Sequence, residues 1–143
     1  MTTLYETDFV GWAERQVHLL RAEEFESVDW AHLIEEIEGL GISQQNELRN
    51  RLKVLIMHLL KYQFQPERRS RSWQVTIVDQ RIEIADLLEM NPSLRPRFAI
   101  FVASVYPVAV KRAANETGLP RSTFPSESPY SVDQLMDDEF FAL

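Results

Sequence analysis

The sequence predicts an all-α chain, a single-domain bundle of five or six helices around a central apolar helix. Three observations carry this expectation. Apolar residues recur at spacings of three and four along most of the chain, and no run sustains the alternation of a half-buried strand. Helix punctuation brackets those runs, as at Asp29, Ser43, Asn91-Pro92 and Gly118 with Pro120. The 143 residues are 45% hydrophobic and 26% charged, a composition that suits one core of ordinary size.

In chain order, the first helix is expected from about Glu6 to Arg21, with Tyr5, Phe9, Trp12, Gln16 and Leu19 on one stripe. The second starts at the N-cap Asp29, places Trp30, Leu33, Ile34 and Ile37 on one face, and stops at Gly39 and Gly41. Ser43 opens a third helix to about Gln63, with a seam of Leu48, Leu52, Leu55, Leu59 and Tyr62. Pro66 ends it, and a basic loop, Glu67 to Ser72, follows. The fourth runs from about Ser72 to Met90, with Ile77, Ile84 and Leu88 inward. Asn91 then caps a fifth helix that begins at Pro92, bends at Pro107 and reaches about Thr117. Phe98 to Val110 is apolar nearly all round, so this helix is expected at the centre. A Pro/Ser-rich connector over 120–130 leads to a short last helix, opened by a Ser131–Gln134 capping box. There is no internal repeat, and residues 1–143 read as one domain.

Charge is unevenly distributed. Residues 1–50 hold three basic and eleven acidic side chains, net −8; residues 51–121 hold twelve and six, net +6; residues 122–143 hold none and five, net −5. Acidic helices packed beside basic ones would produce this order, and so would a basic central surface that meets phosphate. The sequence pI near 5.0 weighs against a dedicated DNA binder. Cysteine is absent, which excludes disulfides, thiolate nucleophiles and Cys-ligated metal. The first residues, Met1 to Glu6, have no basic leader, and the longest uncharged stretch is shorter than a membrane span. A cytoplasmic protein without membrane attachment is the expectation.

Polar residues on apolar faces mark where an unusual centre must lie. Arg81 falls mid-stripe on the fourth helix, where an unpaired charge would cost several kcal/mol. Its expected partners are Asp8, Glu36, Glu38 and Glu116, or else a bound anion. Arg112 and Glu116 continue the inward stripe of the fifth helix. His18 points to solvent, and His32 is expected in a surface pair with Glu36. His58 borders the third helix's seam two turns beyond Arg51, with Lys61 one turn further. Arg51 and His58, with six residues between them, fit the loose arginine-then-histidine pattern of helical higher-eukaryote-and-prokaryote nucleotide-binding ribonucleases. Histidine would move the proton there and arginine would hold phosphate charge. Arg68, Arg69 and Arg71 could likewise cradle phosphate while Trp73 stacks on a base. No zinc, di-iron, nucleophile-elbow, phosphate-loop or dinucleotide motif is present, so neither metal nor cofactor is expected.

The words YETDFVGWAERQVHLLR, LIEEIEGLGIS, HLLKYQFQPERRSRSW with TIVDQR, and ETGLPRSTFP follow one another from Tyr5 to Pro125. In this ordered set the chain resembles the bacterial, largely cyanobacterial, domain-of-unknown-function family twenty-nine. The resemblance implies an all-α fold and no assigned activity. It also marks Asp8, Trp12, Glu35, Glu36, His58, Lys61, Arg69, Ser70, Trp73, Arg81 and Glu116 as shared positions. Three functions stay open: a non-enzymatic interaction module with a protein partner or a second copy, a nucleic-acid binder or enzyme at Arg51 and His58, and an anion pocket at Arg81.

Overall fold

A computed structural model describes residues 3–143; Met1 and Thr2, the start of the stretch read for a leader, lie outside the described residues. Among the described residues six α-helices follow one another: α1 (Leu4–Thr7), α2 (Phe9–Arg21), α3 (Trp30–Phe64), α4 (Arg71–Met90), α5 (Phe98–Thr117) and α6 (Val132–Met136). Short 3-10 turns lie at Phe25–Ser27, Pro66–Arg68, Pro92–Arg97 and Arg121–Thr123, and the described residues contain no strand. The chain is all-α. Its internal contacts fall into two units, Met1–Ser43 and Gln44–Leu143.

In the first unit the expected opening helix is broken. Asp8 leaves helical geometry (φ −151°, ψ 85°), and its side chain accepts the Gly11 N–H at 3.0 Å, so α2 gains its own N-cap. The expected stop at Gly39 and Gly41 does not occur, because α3 runs through both glycines and through Ser43 without interruption. Glycine costs a helix about 1 kcal/mol relative to alanine, too little to end one anchored by buried leucines further along. Most of the face expected to turn inward is open: Trp30 is 47% exposed, Ile34 53% and Ile37 60%, while Leu33 is half-buried; Leu40, which was not in that expectation, is 69% exposed.

The second unit holds the apolar core. Leu48, Leu52, Leu55, Ile56, Leu59 and Leu60 of α3 are fully buried against Ile77 and Ile84 of α4, Ala109 and Ala113 of α5, and Leu135 of α6. Burying each such side chain contributes about 1.5–3 kcal/mol, so this part of α3 is the central element. The most apolar helix, α5, is not surrounded. Ile100 is 66% exposed, and Ala99, Ala103 and Pro107 line a groove of about 600 Å³ with residues Ser126 to Val132. Hydropathy therefore misplaced the centre, because side-chain volume and not polarity separates the two helices. The small outer residues of α5 leave a groove, whereas the leucines of α3 fill space.

The expected caps divide: Asp29, Gly118 and Ser131 hold, whereas Ser43 and Asn91 do not act as N-caps. Ser70, two residues before the expected start, opens α4 by accepting the Trp73 N–H at 3.2 Å. Gly118 closes α5 at φ +76°, where a side chain would be strained. Ser131 and Gln134 cap α6 reciprocally. Asn91 departs from expectation. Its amide donates back to Leu87 O at 2.9 Å, and Pro92–Arg97 forms a 3-10 turn before α5 begins.

Candidate functional site

The last two turns of α3 in the second unit place His58 and Lys61 beside the ends of two other helices. Lys61 is only 6% exposed, its stem lying among core side chains. Its ammonium stands 4.7 Å from the ring centre of Trp73, in the first turn of α4, and 3.6 Å from Glu116 Oε1, in the last turn of α5. No hydrogen bond from that ammonium forms within the described residues. His58 Nδ1–H donates to Val54 O at 2.9 Å, a bond that leaves Nε2 as the acceptor nitrogen. Burial pushes the His58 pKa down and Lys61 adds to this, against the Val54 carbonyl and Glu116, so the ring is neutral at pH 7. Arg69 closes this end of the helix, with Nε donating to Tyr62 O at 2.7 Å and the guanidinium over the Tyr62 ring at 4.7 Å. It thereby satisfies one of the carbonyls that a helix leaves orphaned at its C-terminus. Gln74 Nε2 donates to the Tyr62 hydroxyl at 2.8 Å.

Arg81 forms a separate centre. It is 2% exposed, as its stripe position predicts, but among the described residues no carboxylate pairs with it. Nε donates to Leu135 O at 2.7 Å and Nη2 to Gln134 O at 3.1 Å, with the Phe141 ring 5.7 Å from the guanidinium carbon. The expected partners Asp8, Glu36, Glu38 and Glu116 are thus corrected to two carbonyls of α6. A pair of peptide dipoles at a helix C-terminus carries enough negative charge to hold a cation. Burial lowers the Arg81 pKa, and Asp138 and Asp137 oppose that through their charge alone. Nη1 is buried without a partner.

A third centre, in the first unit, was missed in the sequence. Asp29 Oδ2 accepts Trp12 Nε1–H at 3.0 Å and His32 Nδ1–H at 2.7 Å, while the Asp29 N–H donates to buried Gln16 Oε1 at 2.7 Å. The His32 bond, foremost, holds the Asp29 pKa below its ordinary value. The Tyr5 ring stacks on His32 at 3.9 Å, and its hydroxyl donates to Glu36, which pushes the Tyr5 pKa up to about 12. The expected His32–Glu36 pair is therefore wrong. The aspartate three residues before His32 is nearer, and Tyr5 takes Glu36. Gln16 was legible as an inward polar residue, but its partner, 13 residues away, was not.

The sequence profile of the domain of unknown function DUF29 matches residues 4–141. The chain belongs to the DUF29 family. No curated protein and no solved structure matches it. In this DUF29 chain the candidate residues sort by position. His58, Lys61, Arg69, Trp73 and Glu116 lie around the end of α3, whereas Arg81 lies with α6. Asp8 serves as a cap, Glu36 holds Tyr5, and Glu38 is exposed. Arg112 is exposed and Glu116 half-exposed, because Ala113 and Ala114 take the inward positions of α5. Arg51 Nε donates to Glu47 Oε1 at 2.9 Å and shares no partner with His58. Among the described residues, no three His, Cys, Asp or Glu gather to hold a metal, and no helix is long and apolar enough to cross a membrane.

Proposed function

We propose that this DUF29 chain is a non-enzymatic helical interaction module whose first unit docks a basic amphipathic helix of a partner protein. The observation that supports it is the open stripe of Trp30, Ile34, Ile37 and Leu40 on α3, each side chain about half exposed or more. Spacings of four, three and three repeat the pattern by which one helix packs along another. Glu36 and Glu38 flank that stripe on opposite sides, and residues 1–43 carry two basic against ten acidic side chains, net −8. A second copy offering the same face would bring acid against acid. A partner helix with an apolar seam edged by Lys and Arg matches both the stripe and its rims. Polar bonds and stacked rings hold the unit's interior, so the stripe is free for a partner.

Titration of the full chain with a helical peptide bearing a leucine seam edged by lysines tests this reading. Saturable binding is expected, with no binding of the same peptide edged by glutamates. The double variant Ile34→Ser/Ile37→Ser should weaken binding at least about tenfold, the loss of two apolar anchors. Failure of the lysine peptide to bind, or self-association through this face in sedimentation at micromolar concentration, would overturn the proposal.

A further inference from the structure

The geometry points to a phosphate-binding site in the second unit, with Lys61 as the cation, His58 as an acceptor beside it and Glu116 as a displaceable stand-in for the ligand. It rests on different residues from the docking face and stands independently of that reading.

Three features of the cluster lead there. The first is the state of Lys61. An ammonium has three donors that an oxyanion can accept. Here the stem is buried, yet among the described residues the only carboxylate within 4.0 Å of the ammonium is Glu116 Oε1, at 3.6 Å, beyond hydrogen-bond reach. The Trp73 face offers its π-electrons at 4.7 Å, which orients the charge without using its hydrogens.

The second feature is the weakness of Glu116 as a permanent partner. It is half-exposed, and it sits in the last turn of a 20-residue helix that has no basic residue in that turn. The negative end of the α5 dipole disfavours a carboxylate at that place. Solvent screening further weakens a pair of this exposure. An incoming oxyanion that reaches the ammonium at true hydrogen-bond distance would outcompete it.

The third feature is His58, three residues before Lys61 and therefore on the adjoining turn of the same helix face. Its Nδ1–H is committed to Val54 O, so the free ring nitrogen accepts and does not donate. A hydrogen phosphate ion brings both an anionic oxygen for Lys61 and an O–H for such an acceptor. A fully ionised carboxylate brings only the first. The site therefore favours phosphate over carboxylate.

Lysine is rare in this chain, with only Lys53, Lys61 and Lys111, so labelled lysine gives three resolvable side-chain resonances. The experiment is NMR titration of the full chain, carrying ¹³C-labelled lysine, with inorganic phosphate, and with acetate in a parallel arm, at matched ionic strength. Phosphate should shift the Lys61 Cε resonance saturably and leave Lys53 and Lys111 still, and acetate should bind more weakly. Glu116→Gln should tighten phosphate binding about threefold to fivefold, the scale of a weak surface ion pair, while Lys61→Met abolishes it. Should Lys61→Met fail to fold, Glu116→Gln alone decides. No saturable shift at Lys61 in either wild type or Glu116→Gln, acetate binding as tight as phosphate, or weaker phosphate binding in Glu116→Gln would overturn the inference.

Discussion

The two units hold themselves together by opposite means. Met1–Ser43 is organised around a carboxylate, with Trp12, Gln16 and His32 bonded to Asp29 and Tyr5 stacked on His32, while Phe9, Val10, Ile34, Ile37 and Leu40 face outward. Gln44–Leu143 is organised around fully buried leucines, and its polar interior is reduced to Gln65, Lys61 and Arg81. One helix, α3, supplies residues to both. Its leucines are sealed in the second unit, and its isoleucines are open in the first. The contrast teaches that an apolar stripe on a helix shows where burial is available and not where burial has occurred.

The largest effect should separate the units directly. Leu52→Ala leaves a cavity in the sealed core and should cost about 3–5 kcal/mol in urea unfolding, whereas Ile37→Ala on the open stripe should change stability by less than about 0.5 kcal/mol. Equal losses at the two positions would erase the distinction. An intermediate effect is expected at Arg81→Met, which keeps the packing volume and leaves the Leu135 and Gln134 carbonyls without their donor. A loss of roughly 2 kcal/mol should follow, with hydrogen exchange accelerating first in α6.

The smallest effects are pH-dependent; both are lost as pH falls, and they should differ in the pH window where the loss occurs. His58 has a lowered pKa in the second unit, so the unfolded chain binds its proton more readily. Its contribution is full above the unfolded value near 6.5 and declines as pH falls through that value toward the lowered folded one. His58→Gln should flatten this slope between mildly acidic and neutral pH in chemical unfolding. Asp29 has a lowered pKa in the first unit, and its contribution is full above the unfolded value near 3.9. That contribution is lost as pH falls through the lower folded value. Amide exchange around Trp12 and His32 should therefore accelerate only in strong acid.

How much was legible follows from the range of each interaction. The leucine seam of α3, the inward face of α4, the Gly118 stop and the Ser131 capping box all depend on residues within a turn or two of each other, and periodicity exposes them. Arg81 was legible as buried, because a stripe position fixes the direction of a side chain. Its partners were not, since Leu135 and Gln134 lie more than 50 residues away and carbonyls leave no mark in a sequence. The Asp29 centre was hidden for a related reason. A helix cap and a network hub use the same carboxylate, and only the fold adds the Trp12 indole 17 residues earlier.

Composition and spacing by themselves determined that this chain is helical, where some of its caps lie, which residues line the core of the second unit, and that its first fifty residues are strongly acidic. Tertiary structure alone decided that α3 runs unbroken through two glycines, that its first apolar stripe stays uncovered, and that α5 is not the centre. It also decided that Lys61 meets Trp73 and Glu116 from three different helices. Local free energies of about 1 kcal/mol set the former set of features and can be read residue by residue. The latter depend on which distant surfaces reach one another first, a competition that the order of residues does not record.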